Sequence, residues 1–286
     1  MNNDSILVEK DGHIGRLIFN RPEKSNAMTF QEATILKEKL FELEEDDDIK
    51  VIVLKGRGKS FCAGHDFDDI VKSYGLDKKD ENGKYIKMTQ RARLQIDRKL
   101  SEDYMAFQYS QKPVIAQIHG ACVGFGMYLA EVVDLVICAA NARFSHAEQR
   151  LGFAGNTWIL NTQILLYGPK KARELLLFGS DFDGIEAEKL GLANLAVPEE
   201  ELEATVQDWA ERIARNPRDA LITGKAMHQM ALDSLGATQQ FIRGYVGHTL
   251  GTGLSFEKDE YNFFKERRDH GTKRAFRNRD SQYVKD

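Results

Sequence analysis

The chain has 286 residues and a formal net charge of −4, with 42% apolar, 9% aromatic and 29% charged side chains. That length allows two domains or one large domain with an appendage, and the composition excludes collagen-like, disordered and coiled-coil chains. With 44 acidic against 40 basic residues there is no basic footprint for a phosphate backbone, so no nucleic-acid partner is expected.

Met1 to Glu9 puts Asp4 ahead of a short apolar patch, without the basic flank and long apolar core of a secretory leader, and predicts no secretion. His13 to Asn20 alternates around Ile14, Leu17, Ile18 and Phe19 and stops at Arg21-Pro22, the pattern of a strand with a proline terminator. Thr29-x-x-Glu32 is a capping box that opens a helix over Phe30 to Glu45, with Ala33, Leu36, Leu40 and Leu43 on one buried face. The acidic run Glu44 to Asp48 reads as a solvated turn before a buried strand at Val51 to Leu54. A loop at Gly56 to Gly64 follows, then a short helix near Asp68 and a charged stretch from Lys72 to Asp103, of which Asp77 to Arg98 reads as a helix or a mobile insertion over the sheet. Val114 to Ile118 predicts a strand, followed by a glycine loop, a helix through Leu129 and a strand at Leu135 to Ala139.

This alternation predicts an α/β fold, a sheet covered by helices. Beyond Gly168 the strand signals fade and helical runs such as Glu200 to Arg215 and Ala220 to Leu235 dominate, which places a soft boundary near residue 200. Val132 to Ala140, among the longest apolar stretches, is broken by Asp134 and is too short to span a bilayer, so no membrane partner is expected. Cys62, Cys122 and Cys138 are odd in number and sit in apolar surroundings, which predicts buried thiols in a reducing compartment, by default the cytoplasm.

Two loops stand out because each joins a buried strand to a helix: Gly56 to Asp66, and His119 to Gly126. The start of a helix after Gly124 carries unpaired N–H donors at a positive dipole end, so a developing negative charge is stabilised there without a side chain. If N–H groups from both loops converge they form an oxyanion hole, although tight turns and close helix packing explain either loop alone equally well.

Five motifs in register carry a resemblance: Asn20 to Met28 (NRPEKSNAM), Ser60 to Asp66 (SFCAGHD), Lys112 to Ala116 leading into the glycine loop, Asp134 before the next strand, and Gly191-Leu192-Ala193 before Val197. Together they resemble the enoyl-CoA hydratase/isomerase, or crotonase, superfamily over almost the whole chain. The resemblance implies a spiral of ββα units over residues 1–200, binding an acyl-CoA and catalysing its reaction. It also implies a helical C-terminal region over residues 201–286 that assembles a homotrimer or homohexamer. The apolar positions of Glu200 to Leu235 and the aromatic cluster Phe241, Tyr245, Tyr261, Phe263 and Phe264 are then expected to be partly buried between subunits.

It further implies that the backbone N–H groups of His65 and Phe125 form the oxyanion hole, Phe125 standing where the family commonly has glycine. Ala63, Gly64, His65, Asp66 and Phe67 would hold the adenine end of coenzyme A, with Gly124 beside the thioester, while Lys24 and Lys59 are candidates for its phosphates or else solvated surface lysines. Of the two glutamates that hydratases of the family carry, the second is matched by Glu148 and the first is replaced by Tyr128. Glu148 is the expected general acid/base, its pKa raised by partial burial; Tyr128 is either a donor to the reacting oxygen or a core residue. Asn156 and Trp158 replace the family's Pro-Gly-rich turn and point to a specialised acyl group, cyclic or aromatic. Arg150 reads more readily as an exposed arginine than as a carboxylate binder. Coenzyme A enters only as part of the substrate, with no separate cofactor and no metal. Hydration or isomerisation of an enoyl-CoA is the leading reading. The alternatives are C–C chemistry (hydrolase, hydratase-lyase or decarboxylase) and a degenerate CoA-binding scaffold.

Overall fold

The computed structural model describes residues 5–253 and 255–283, so the first four residues of the Met1 to Glu9 stretch lie outside the described residues. In chain order the elements are β1 (Ile6–Asp11), β2 (Ile14–Phe19), α1 (Phe30–Glu45), β3 (Val51–Gly56), α2 (Phe67–Ser73), α3 (Gln90–Gln108), β4 (Val114–Ile118), β5 (Ala121–Val123) and α4 (Phe125–Val132). There follow β6 (Leu135–Ala139), β7 (Arg143–Ser145), α5 (Leu160–Phe178), β8 (Phe182–Asp183), α6 (Gly184–Leu190) and β9 (Leu195–Val197). Five further helices close the described chain: α7 (Leu202–Ala214), α8 (Arg218–Ser234), α9 (Gln240–Gly251), α10 (Phe263–His270) and α11 (Thr272–Ser281).

The strands form two sheets, one ordered β1-β2-β3-β4-β6-β9 and a smaller one ordered β5-β7-β8. Only β1 runs antiparallel in the large sheet; Ile52 pairs with Val114 and Ile115 with Leu135 down its parallel centre. β3 and β4 read as continuous β-branched and aliphatic runs because both of their faces are covered. After β4 the chain steps through His119-Gly120 into β5 of the small sheet and then into α4. β6 steps likewise into β7, so each of these two turns gives one strand to each sheet. The result is an α/β spiral with C-terminal helices.

α1 begins as its sequence predicts: Thr29 caps the Glu32 N–H, the Glu32 carboxylate accepts from the Thr29 N–H at 2.8 Å, and Ala33, Leu36, Leu40 and Leu43 are buried. The charged stretch resolves into the end of α2, an irregular segment and α3, which packs on α1, α4 and α9. Far from being solvated throughout, α3 buries Asp97, Leu100, Tyr104 and Phe107. Past residue 200 the core continues: Leu202, Val206, Ala210 and Ala214 of α7, in the stretch expected partly between subunits, are instead buried within the chain beneath the large sheet. By contrast, α8 buries no residue and leaves Met227 and Met230 70% exposed. One correction concerns Phe263, expected at a subunit interface: it is fully buried within the chain, packed on Phe67 and Phe276. The three cysteines are free and buried, and burial pushes the Cys62 thiol up to about 12. No helix among the described residues is long and apolar enough to cross a membrane.

Candidate active site

The two glycine loops meet. Cys62 and Cys122 form a parallel bridge, with the Cys62 N–H donating to Ala121 O and the Val123 N–H to Cys62 O, each at 2.9 Å. The Met28 N–H donates to Gly64 O and the Asp66 N–H to Met28 O, and these two bonds fix the peptides on either side of His65. Gly124 has φ +52° and ψ −110°, a conformation that only glycine adopts without strain, and it turns β5 sharply into α4. Phe125 is the first residue of that helix, so its N–H has no partner within it. The positive φ falls on Gly124 and not on Phe125, which is why a phenylalanine is tolerated where glycine is common.

A cavity of roughly 1270 Å³ opens over this junction, lined among others by Ala63, Gly64, His65, Phe67, Gly124, Phe125, Tyr128, Glu148, Asn156 and Trp158. Ten of the thirteen positions proposed from sequence therefore share one wall system, with three exceptions. Lys24 is exposed on a short 3-10 turn and does not line the cavity. Asp66 does not line it either; its side chain caps α2 through the Asp68 N–H and pairs with Arg21 at 3.3 Å. Lys59 is exposed and likewise outside the lining.

Glu148 lies on a 3-10 turn, Ala147–Leu151, that β7 delivers beside the glycine junction. Its Oε1 accepts from the Tyr128 hydroxyl at 2.8 Å and stands 3.0 Å from His146 Nδ1. Its Oε2 is buried with no hydrogen-bond partner and would lie 3.6 Å from a Cβ placed on Gly124. Burial pushes the carboxyl up, but the His146 charge and the hydrogen bonds from His146 and Tyr128 outweigh it, and the net shift is downward. This corrects the expectation of a raised pKa. His146 is itself held between two carboxylates, Glu148 and Glu131, its Nε2 lying 3.0 Å from Glu131 Oε1. Burial opposes its charge, yet the two anions push its pKa up to about 10. Tyr128 is driven well above the ordinary phenol range by burial and by the Glu148 charge, so it stays protonated as a donor.

The His65 ring is packed against Phe30 and Phe125, and burial holds its pKa down to about 4. As a neutral ring it donates from Nδ1 to Met28 O at 3.2 Å and accepts from the Tyr104 hydroxyl at 3.3 Å on Nε2. Farther along the cavity Trp158 stacks on His248 at 3.9 Å, and His248 in turn lies 3.3 Å from the buried carboxylate of Asp97. Arg150, expected on the open surface, is instead 13% exposed and tied to Asp181 and Asp280 at the cavity rim.

Sequence reasoning missed Glu131, His146, Tyr104, Asp97 and His248. A usable signal existed for Glu131, a charged residue in the otherwise apolar run Leu129 to Val133, where burial demands a partner. Among the described residues no group of three or more His, Cys, Asp or Glu side chains is arranged to hold a metal ion.

Residues 9–273 match the sequence profile of the enoyl-CoA hydratase/isomerase family. The chain is 32% identical over 226 residues to the probable enoyl-CoA hydratase EchA14 of Mycobacterium tuberculosis, covering 78% of this chain and 80% of that one. It is 32% identical over 192 residues to the peroxisomal Delta(3,5)-Delta(2,4)-dienoyl-CoA isomerase of Arabidopsis thaliana, covering 66% of this chain and 67% of that one. An enoyl-CoA hydratase structure from Mycobacterium smegmatis superposes with a TM-score of 0.83 at 26% identity, over 99% of this chain and 96% of that one. The chain therefore belongs to the enoyl-CoA hydratase/isomerase family and is an enzyme of that family.

Proposed function

We propose that the protein shifts a double bond in an enoyl-CoA thioester, with Glu148 carrying the proton and the N–H groups of His65 and Phe125 holding the enolate oxygen. The observation that carries this reading is Glu148 Oε2, an unpartnered carboxylate oxygen beside Gly124 where the two glycine loops meet. Oε2 takes a proton from C2 of a 3-enoyl thioester, the C–H electron pair moves to the thioester oxygen, and that oxyanion receives the two N–H donors. The same oxygen returns the proton to C4 and the double bond settles between C2 and C3. A single carboxylate suffices for this exchange. Hydration asks for a second group to activate water, and Tyr128, held protonated and donating to Glu148, is not a base.

Coenzyme A is part of the substrate and no separate cofactor is invoked. Ala63, Gly64 and Phe67 line the cavity, which supports their contact with the thioester's CoA portion; Lys24 and Asp66 are not carried into this reading. The aromatic walls at Tyr104, Phe125 and Trp158 favour a bulky, cyclic or aromatic acyl group. The unpartnered face of α8 supports assembly into a trimer or a dimer of trimers.

The test is product mass from a panel of 2-enoyl- and 3-enoyl-CoA esters. Isomers of unchanged mass support the reading. A product heavier by one water replaces isomerisation with hydration, and loss of a carbon fragment replaces it with C–C chemistry. CoA-ester binding without turnover or proton exchange marks a binding scaffold instead.

A further inference from the structure

We propose that Glu131 and His146 act as positioning residues, a buried charged strut that presents Glu148 to the substrate as a carboxylate with Oε2 aimed at the glycine junction. This rests on the reading of Glu148 as proton carrier. α4 is eight residues long with every residue buried, and Tyr128 and Glu131 lie three apart on it, on neighbouring positions of one face. Both reach the segment that holds His146 and Glu148. His146 stands 3.0 Å from a carboxylate oxygen on each ring nitrogen. Only an imidazole protonated on both nitrogens donates to both; a neutral ring would turn a lone pair on one of them. Gln163 Nε2 also lies 3.1 Å from His146 Nε2, but it donates to Glu131 Oε2 at 3.0 Å, so the two carboxylates decide the ring's state and call for a cation between two anions.

The remaining valences of Glu131 are filled by the Tyr167 hydroxyl at 2.8 Å on Oε1 and the Gln163 amide at 3.0 Å on Oε2. Around the cluster stand Tyr128 and Glu131 on α4, Tyr104 on α3, Gln163 and Tyr167 on α5, and His65 on the loop after β3. His146 is the cation in direct contact with both carboxylates. Neither Glu131 nor His146 lines the cavity, so both act through Glu148. Two carboxylates and one imidazolium leave one net negative charge in a buried place, an arrangement that is costly as a pure stability device. The uncompensated end is Oε2 of Glu148. When Glu148 takes the substrate proton the cluster becomes neutral, and the negative charge passes to the enolate under the N–H groups. The downward shift of the Glu148 carboxyl and the raised His146 agree with this.

The test follows solvent deuterium incorporation at C2 of hexanoyl-CoA as a function of pH, with the full-length protein. The parent should exchange at a steady rate from pH 8 down to pH 5. His146→Gln leaves two buried carboxylates without a countercharge, so its acid limb should move up by about three pH units. Exchange should then fall by roughly tenfold at pH 6 and recover toward pH 8 to 9. A loss equal at every pH would mean that His146 is merely structural and would overturn the strut. If Glu148→Gln exchanges like the parent, the reading of Glu148 itself fails, an outcome separate from any pH profile.

Nitrogen NMR of His146 requires no variant: the ring should stay cationic from pH 6 to 9. Its midpoint near 10 should fall in Glu131→Gln, which keeps the acceptor oxygen but removes the charge. A neutral ring at pH 7 in the parent overturns the proposal even if His146→Gln does not fold.

Discussion

Replacing Gly124 by Ala tests whether the thioester sits where the two glycine loops meet. At φ +52° and ψ −110°, an alanine costs about 1–3 kcal/mol of backbone strain. Its Cβ meets Glu148 Oε2 at 3.6 Å and the Gly64 Cα at 3.7 Å, both ordinary contacts, so nothing in the fold has to move to admit it. With roughly 2–4 °C of Tm per kcal/mol in a chain of this size, the variant should melt about 2–12 °C below the parent and remain folded. Its chemistry should suffer far more. The methyl occupies the space in front of Oε2, and any relaxation of the Gly124 ψ swings the Phe125 N–H off its target. Loss of one oxyanion donor costs about 10² to 10³ in turnover. The assay is kcat and KM for double-bond isomerisation beside calorimetric binding of free CoA, which should be unchanged. A variant with the lowered Tm but a kcat within about threefold of the parent would refute this placement.

His65→Ala keeps the backbone N–H but removes a ring packed on Phe30 and Phe125 and bonded to Met28 and Tyr104, so it should lose about 2–4 kcal/mol in denaturant unfolding. Its turnover should stay within about tenfold of the parent, whereas His65→Pro, lacking the N–H, should lose about 10² to 10³. The His146 pKa is raised from its ordinary 6.5 to about 10 in the fold. The stability it contributes is therefore complete below pH 6.5 and lost as pH rises toward 10, so Tm should decline over that window and decline less in His146→Gln. Sedimentation at micromolar concentration should give a trimer or hexamer; a monodisperse active monomer would leave the exposed Met227 and Met230 face of α8 without its proposed role.

The sheet was legible because its strands are nearly uninterrupted runs of Val, Ile and Leu, and α1 because a capping box and a regular apolar spacing agree with each other. The family resemblance put Glu148 and Phe125 among the candidates, and the structure brings both to one cavity. The direction of the Glu148 shift was not legible, because it depends on the charge of His146, which Glu131 in turn holds. Glu131 is 17 residues ahead of Glu148 and reaches the turn only once β6 and β7 have brought that turn back to α4. Asp97 was hidden for the opposite reason. Its surroundings in sequence are charged and look solvated, yet the face of α3 that bears it is packed against α9 and accepts from Tyr74 and Thr249. Arg150 likewise looks like a surface residue until Asp181 and Asp280 are folded onto it.

The central claim is that Glu148, not Tyr128, moves the proton. Glu148→Gln is well suited to test it, since its amide oxygen can keep the bonds from Tyr128 and His146 while an NH₂ replaces Oε2. Deuterium incorporation at C2 of hexanoyl-CoA should fall by about 10² to 10⁴ in Glu148→Gln with CoA-ester binding retained, and should persist at a reduced rate in Tyr128→Phe. Parent-like exchange in Glu148→Gln together with its loss in Tyr128→Phe would contradict the account.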